Sequence, residues 1–360
     1  MKTKQINPCI IAATLAFVAF TGCKKDEPSN NNTTTPGAYD SGVFITCEGA
    51  FTGGTGTVSF YNRTNKAVSN DIFQTANNIP LGNVVQSMSI FNSKGYIVVN
   101  NAGKVEVVNA GDFKSSGTIT GFNQPRYFLG INSSKAYVSE WGLTGFEGAV
   151  KVVNLSNNSI TSTISTGKGA EHMVKSGDFA YVACSGGYGI DSTLTVINTV
   201  SDTISAKITI GDNPNSLQID ANGKLWVLCG GINDYATPAN NTAGKLICMN
   251  TSGNIAEFVF TFPSTSSHPS GLVINSAKNK LYYNYDGKVY VQDITAGSLN
   301  TTETINRSFY GLGIDPSNDY IFASDAEDFS SNGWVFRYNT TGSVVDSFQV
   351  GIIPGNFYFK

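Results

Sequence analysis

GKVEVVN at residues 103–109 decides the fold, because the chain keeps returning to it. Related phrases are GTVSFYN (56–62), GAVKVVN (148–154), STLTVIN (192–198), GKLICMN (244–250), GKVYVQD (287–293) and GWVFRYN (333–339), seven in all. Their starts are 47, 45, 44, 52, 43 and 46 residues apart. Within each copy apolar residues alternate, as in a strand with one face more buried than the other. The closing Asn or Asp begins a turn. A second phrase, rich in aromatic and β-branched residues, precedes most copies: KGYIVVN, KAYVSEW, FAYVACS, KLWVLCG, KLYYNYD and DYIFASD. A third opens each unit, as in VQSMSIF, PRYFLGI and NSLQIDA, and a fourth follows the Asn turn, as in SITSTIS and AEFVFTF. Four strands per period of this length predict a blade of a β-propeller.

Residues 41–360 number 320, about 46 for each of seven blades, so no second domain is expected. The rung of a parallel β-helix would be shorter, near 20 residues. The first unit begins at its second strand, GVFITCEG (42–49), and the chain ends on PGNFYFK (354–360). The C-terminal segment is therefore expected to supply the missing opening strand and clip the ring shut, hiding sheet edges. The predicted fold is all-β, a seven-bladed propeller whose C-terminal strand closes the N-terminal blade.

Composition agrees. Among 360 residues only 14% are charged, and 37 Asn stand beside 38 Gly. That mix favours short strands and polar turns over a helical bundle, a coiled coil or a disordered chain. The net charge of −3 argues against a partner bound through its phosphates, so no nucleic acid is expected. With two His, His172 and His268, no metal site is expected. The chain has no Gly-x-Ser-x-Gly elbow, no His-Glu-x-x-His and no phosphate-binding Gly-rich loop. Glu140, Glu171, Asp325, Glu327 and Asp328 offer carboxylates for sugar hydrolysis, but acidic loop residues are ordinarily just solvated. No catalytic residue, enzymatic activity or cofactor is expected.

The first residues read as an address. Lys2 and Lys4 precede an apolar run from Ile10 to Phe20, followed by Thr21-Gly22-Cys23. The run is too short for a permanent span. It reads as a secretory signal over 1–22, and the residues before Cys23 resemble a bacterial lipobox, which makes Cys23 the lipidated residue. Residues 23–40 read as a lipidated, disordered tether. Loss of Lys2 and Lys4 takes the net charge from −3 to −5. Lys25-Asp26-Glu27 resembles the surface-export signal of Bacteroidetes lipoproteins. The expected location is the outer membrane, lipid-anchored and exposed at the cell surface, with no membrane-spanning segment. Four other cysteines, Cys47, Cys184, Cys229 and Cys248, are expected as free buried thiols.

In a propeller the top face is built from the loops before each first strand and after each second strand. The long loops after second strands carry Phe51, Trp141, Phe146, Tyr188, Tyr235 and Phe329. The loops before opening strands add Gln86, Arg126, Tyr127, His172, Asn215, His268 and Tyr310, together with Phe309. This broad, aromatic, mostly uncharged rim suits a large flat or amphipathic ligand held by stacking and a few hydrogen bonds. Any one of these aromatics can equally be packing against its neighbour.

AYVSEWG and FAYVACSGG resemble the YncE-like (YVTN) propellers. CEGAF, PLGNVVQSMSI, GYIVVNN, ITGFNQPRYF, EHMV and the terminal VGIIPGNFYFK resemble the BtuG-type (DUF5074) surface lipoproteins of Bacteroidetes, along residues 42–360. The resemblance implies an outer-membrane surface lipoprotein that captures cobalamin or a related corrinoid. It also implies that the cargo is handed to a TonB-dependent transporter. The residues alone leave open a propeller that binds a surface glycan or another nutrient, or a protein partner. A quinoprotein- or lactonase-like enzyme is a further alternative.

Overall fold

The computed structural model describes residues 37–51 and 53–360. The signal segment 1–22, Cys23 and the tether as far as residue 36 lie outside the described residues. Seven four-stranded antiparallel sheets make a ring, six of them built in chain order from the channel outward and the seventh starting from the C-terminal strand. Blades 2 to 7 open with Val85–Phe91, Pro125–Asn132, Ala170–Ser176, Pro214–Ile219, Ser270–Ile274 and Gly311–Ile314. Blade 1 is closed by the C-terminus: Pro354–Phe359 pairs with Gly42–Cys47, which pairs in turn with Thr57–Asn62. The expected seven blades and their closure are both present.

Second strands are the most deeply buried. Leu225–Cys229 and Gly42–Cys47 are buried at every position, because both sheet faces meet a neighbouring blade. That explains why the phrases LWVLC and FAYVAC are apolar throughout rather than alternating. Seven apolar clusters fill the seven seams between blades. In one, Tyr96 of blade 2 stacks on Phe128 of blade 3 with centroids 4.1 Å apart. Fully burying each such ring contributes roughly 1.5–3 kcal/mol. At the face opposite the long loops, Arg63 of blade 1 donates from Nε to Asp315 of blade 7 at 2.6 Å and also bonds the Lys360 carbonyl. The C-terminal end is thus tied across the closing seam.

Blade 1 departs from the four-strand expectation at its outer edge. Its fourth strand is only Val68–Ser69, followed by a short helix, Ile72–Asn77. Ile72 and Phe73 turn inward and join the seam with blade 2, so this edge is covered by a helix rather than left open. Cys47, Cys184, Cys229 and Cys248 are free and buried, as expected. No described helix is long and apolar enough to cross a membrane.

Candidate ligand-binding face

Three connected hollows open among the top loops. The first is the central channel, about 610 Å³, walled by the innermost strands from the top loops down to Ile274, Ile314 and Phe359. Gln86, Tyr127, His172, Asn215 and Tyr310 all line it. The second, about 440 Å³, is a trough across the loops of blades 3 to 5, with Trp141, Tyr188 and Tyr235 on its walls. Asn213 and Asn215 border both. The third, about 370 Å³, lies between blades 2 and 3 and shares Tyr188 with the trough.

The aromatic wall of the trough is a contact set. Trp141 meets Tyr188 edge-on at 5.4 Å, and Phe146 meets the same ring at 6.1 Å. Gly145 allows the approach: a Cβ there would lie 2.3 Å from the Tyr188 ring. Tyr188 remains 60% exposed and Tyr235, on the facing loop, 88%. Tyr235 is displayed by a loop knitted around Asp234, whose carboxylate accepts the backbone N–H groups of Ala236 and Thr237 and the Asn240 amide at 2.9–3.0 Å. Those bonds hold the Asp234 carboxyl below its ordinary range, the Asn240 bond most of all. Across the channel mouth, Tyr310 and Phe329 form a second edge-on pair at 5.7 Å.

The wall below the rim is more charged than the composition suggests. Arg126 grips Glu171 with Nε at 3.0 Å and Nη2 at 2.8 Å, bonds the Gln86 side chain, and lies 4.2 Å over the Trp141 ring. Glu48, at the mouth, accepts the Tyr310 hydroxyl at 3.0 Å, and burial pushes its carboxyl up despite that bond. His172 accepts the Leu217 N–H on Nδ1 at 3.3 Å and stands edge-on to Tyr127 at 5.3 Å. Burial pushes its imidazole down to about 4, so it is neutral at pH 7 with its proton on Nε2. Burial also raises the Tyr127 and Tyr310 hydroxyls well above the usual phenol range.

Five of the sequence-predicted residues, Phe51, Arg126, Phe146, His268 and Phe329, line none of the three hollows, although Arg126 lies over Trp141, Phe146 packs on Tyr188 and Phe329 on Tyr310. Phe51 is 71% exposed and lines none of the three hollows. His268 uses Nδ1 against the Gly230 carbonyl at 2.9 Å, propping the base of the long blade 5 loop. Sequence reasoning missed Glu48, Asn213, Ser216 and Asn356, which also line the hollows. Aligning PGNFYFK with the other opening strands would have placed Asn356 in the channel wall. Glu140 is not free for sugar chemistry: it pairs with Lys151 at 3.2 Å and accepts the Asn123 N–H at 2.9 Å. Among the described residues no group of three or more His, Cys, Asp or Glu could hold a metal ion.

A family model described as a domain of unknown function, DUF5074, matches residues 41–359. No curated protein matches the chain. Among solved structures, a quinoprotein alcohol dehydrogenase-like protein from Bacteroides thetaiotaomicron superposes with a TM-score of 0.67 at 14% identity, covering 89% of this chain and 78% of that one. A protein from Lactobacillus plantarum gives 0.64 at 12% identity, covering 88% and 99%. Hydrazine synthase from Kuenenia stuttgartiensis gives 0.54 at 17% identity, covering 69% and 73%. At such identities these likenesses concern the fold alone.

Proposed function

The chain belongs to the DUF5074 family, and from that premise we propose that it binds cobalamin or a related corrinoid at the cell surface and passes it to a TonB-dependent outer-membrane transporter. On this reading Cys23 carries the lipid that holds the protein at the outer membrane. The single observation that supports the reading best is the trough between Trp141, Tyr188 and Tyr235, continuous with an amide-lined channel mouth at Asn213 and Asn215. A corrin is broad and flat, with an apolar macrocycle and an amide-bearing rim. Exposed rings complement the former and Asn side chains the latter. The buried Trp141 Nε1 has no partner among the described residues, which leaves a donor at the trough wall.

We assign the protein a carrier role rather than a catalytic one. His172 is neutral, with one nitrogen already accepting a backbone bond, and Glu171 is clamped by Arg126. Neither is placed as a free general base beside a nucleophile.

Calorimetric titration of the protein with cyanocobalamin tests the reading. Capture outside the cell predicts nanomolar or tighter binding, about −12 kcal/mol or more. No heat and no thermal stabilisation at high micromolar corrinoid would overturn it. A glycan array would then probe the highly exposed Tyr235 ring as a sugar-stacking platform.

A further inference from the structure

The charges on the ligand face do not balance. Among the residues that line the central channel only Glu48 is charged, His172 being neutral, and among those that line the trough only Glu171 is. Arg126 is committed to Glu171 and to the Gln86 side chain. No Lys, Arg or His stands within ion-pair distance of Glu48 among the described residues, whereas Glu171 and Glu140 each have such a partner. Two carboxylates and one guanidinium leave the face with one uncompensated negative charge, and it sits in the channel at Glu48.

That carboxylate is held in place. Glu48 follows the second strand of blade 1, its N–H donating to the Ile353 carbonyl at 2.9 Å and its carbonyl accepting the Val85 N–H of blade 2 at 3.2 Å. Its Oε1 accepts the Tyr310 hydroxyl at 3.0 Å. Gly355 leaves the space in which the two side chains meet: a Cβ there would stand 3.2 Å from Oε1 and 3.6 Å from the Tyr310 ring. Oε2 makes no hydrogen bond among the described residues, and the side chain is only partly buried, on the channel wall. Burial raises the carboxyl more than the Tyr310 bond and the Arg126 charge lower it. An N–H donor suits such an oxygen, because a hydrogen bond to an ionised acceptor is about twice as strong as a neutral one. A second carboxylate at the same place meets like-charge repulsion and must itself be desolvated.

We infer that Glu48 is a specificity-determining residue: it receives the N–H of one propionamide arm of a corrinoid and turns away a corrinoid in which that arm ends in a carboxylate. The inference rests on the corrinoid reading, since a corrin ring carries carboxamide arms around its edge. The propionamides are the longer arms, so one of them reaches into the channel while the macrocycle lies against the trough. Tyr310 is the positioning residue that aims the carboxylate. A site built to bond an N–H rejects an analogue that lacks it far more strongly than an apolar pocket rejects a change of shape. The channel thereby selects amidated corrinoids over their acids.

The test titrates the unchanged protein and Glu48→Gln, which keeps an oxygen for the Tyr310 hydroxyl, with cyanocobalamin and with its b-, d- and e-monocarboxylic acids. Each acid has one propionamide arm hydrolysed. The unchanged protein should bind one of these acids at least about tenfold more weakly than cyanocobalamin. In Glu48→Gln that ratio should fall to within about threefold, because the new amide can donate to the acid. The ratio is the readout, since a merely structural role for Glu48 would weaken every ligand alike. Equal binding of cyanocobalamin and all its acids by the unchanged protein overturns this inference alone, whether or not the variant folds. So does discrimination that persists undiminished in Glu48→Gln. Absence of cyanocobalamin binding by the unchanged protein overturns the corrinoid reading and this inference with it.

Discussion

The channel wall and the loop rim above it carry similar residue types but use them differently. In the wall, polar side chains hold one blade to the next. Asn100 Nδ2 donates to the Pro125 carbonyl, Asn215 to Pro269, Gln218 to Leu272 and Asn356 to Gln86, all at 2.8–3.1 Å. His172 and Arg126 act likewise across the neighbouring seams. Six of the seven innermost strands are bulged, and each bulge frees backbone groups that must find partners once buried. On the rim, by contrast, Tyr188 and Tyr235 project from backbone-anchored loops, largely exposed, and their hydroxyls make no hydrogen bond among the described residues. The difference separates two effects that a sequence pattern merges: wall residues should govern stability, and rim residues should govern binding.

The most demanding check of that separation is Arg126→Ala. It removes the partner of the buried Glu171 carboxylate and the cation over Trp141. Losing one half of such a pair costs about 3–5 kcal/mol. Urea denaturation should show that loss. A variant that binds no ligand yet unfolds at the wild-type midpoint would break the division, because Arg126 would then be a ligand contact first.

His172 sharpens the same point through pH. Its imidazole is held near 4 in the fold against an ordinary 6.5, so the unfolded chain takes up its proton first. The stability linked to this group is fully present above pH 6.5. It is lost as the pH falls towards 4, and stays constant below that. Allowing for partial exposure, the loss is of order 2 kcal/mol. His172→Asn, which keeps an acceptor for the Leu217 N–H, should lose that much less stability between pH 7 and pH 4.5. Equal slopes for the two proteins would mean that the ring is solvated.

On the rim the expected pattern reverses. Tyr188→Ala and Tyr235→Ala should each weaken cyanocobalamin binding about tenfold or more, near 1.4 kcal/mol. Tyr235→Ala should leave the unfolding midpoint within about 0.5 kcal/mol. Tyr188→Ala should cost slightly more, because Trp141 and Phe146 lean on that ring. Retention of full affinity by both variants would move the binding surface into the channel.

The architecture was legible because repetition survives every local ambiguity. Seven phrases with a conserved turn residue set blade number and strand order, and the unpaired first unit located the closing strand. The outer edge of blade 1 was not legible, since a two-residue strand and a helix of six residues leave no periodic trace. For the site, loop membership placed Trp141, Tyr188 and Tyr235 around one trough. It did not separate them from His268, which also sits in a top loop but turns towards a backbone carbonyl. Nor did it find Glu48, whose environment arises from a blade-to-blade contact between residues far apart in the chain, Tyr310 reaching Glu48.

Phe51 gives the smallest expected effect and the cleanest control. It is a large aromatic on a long top loop, so by sequence it has the same standing as Tyr235. Yet its ring lines no hollow and takes part in no aromatic pair among the described residues. Exposed surface substitutions without partners usually change stability by less than about 0.5 kcal/mol. Phe51→Ala should therefore alter neither the unfolding midpoint nor the cyanocobalamin titration. If it weakened binding as much as Tyr235→Ala, the ligand would extend over blade 1. The rim would then act as a whole ring rather than through the loops of blades 3 to 5, and exposure alone would no longer separate binding aromatics from idle ones.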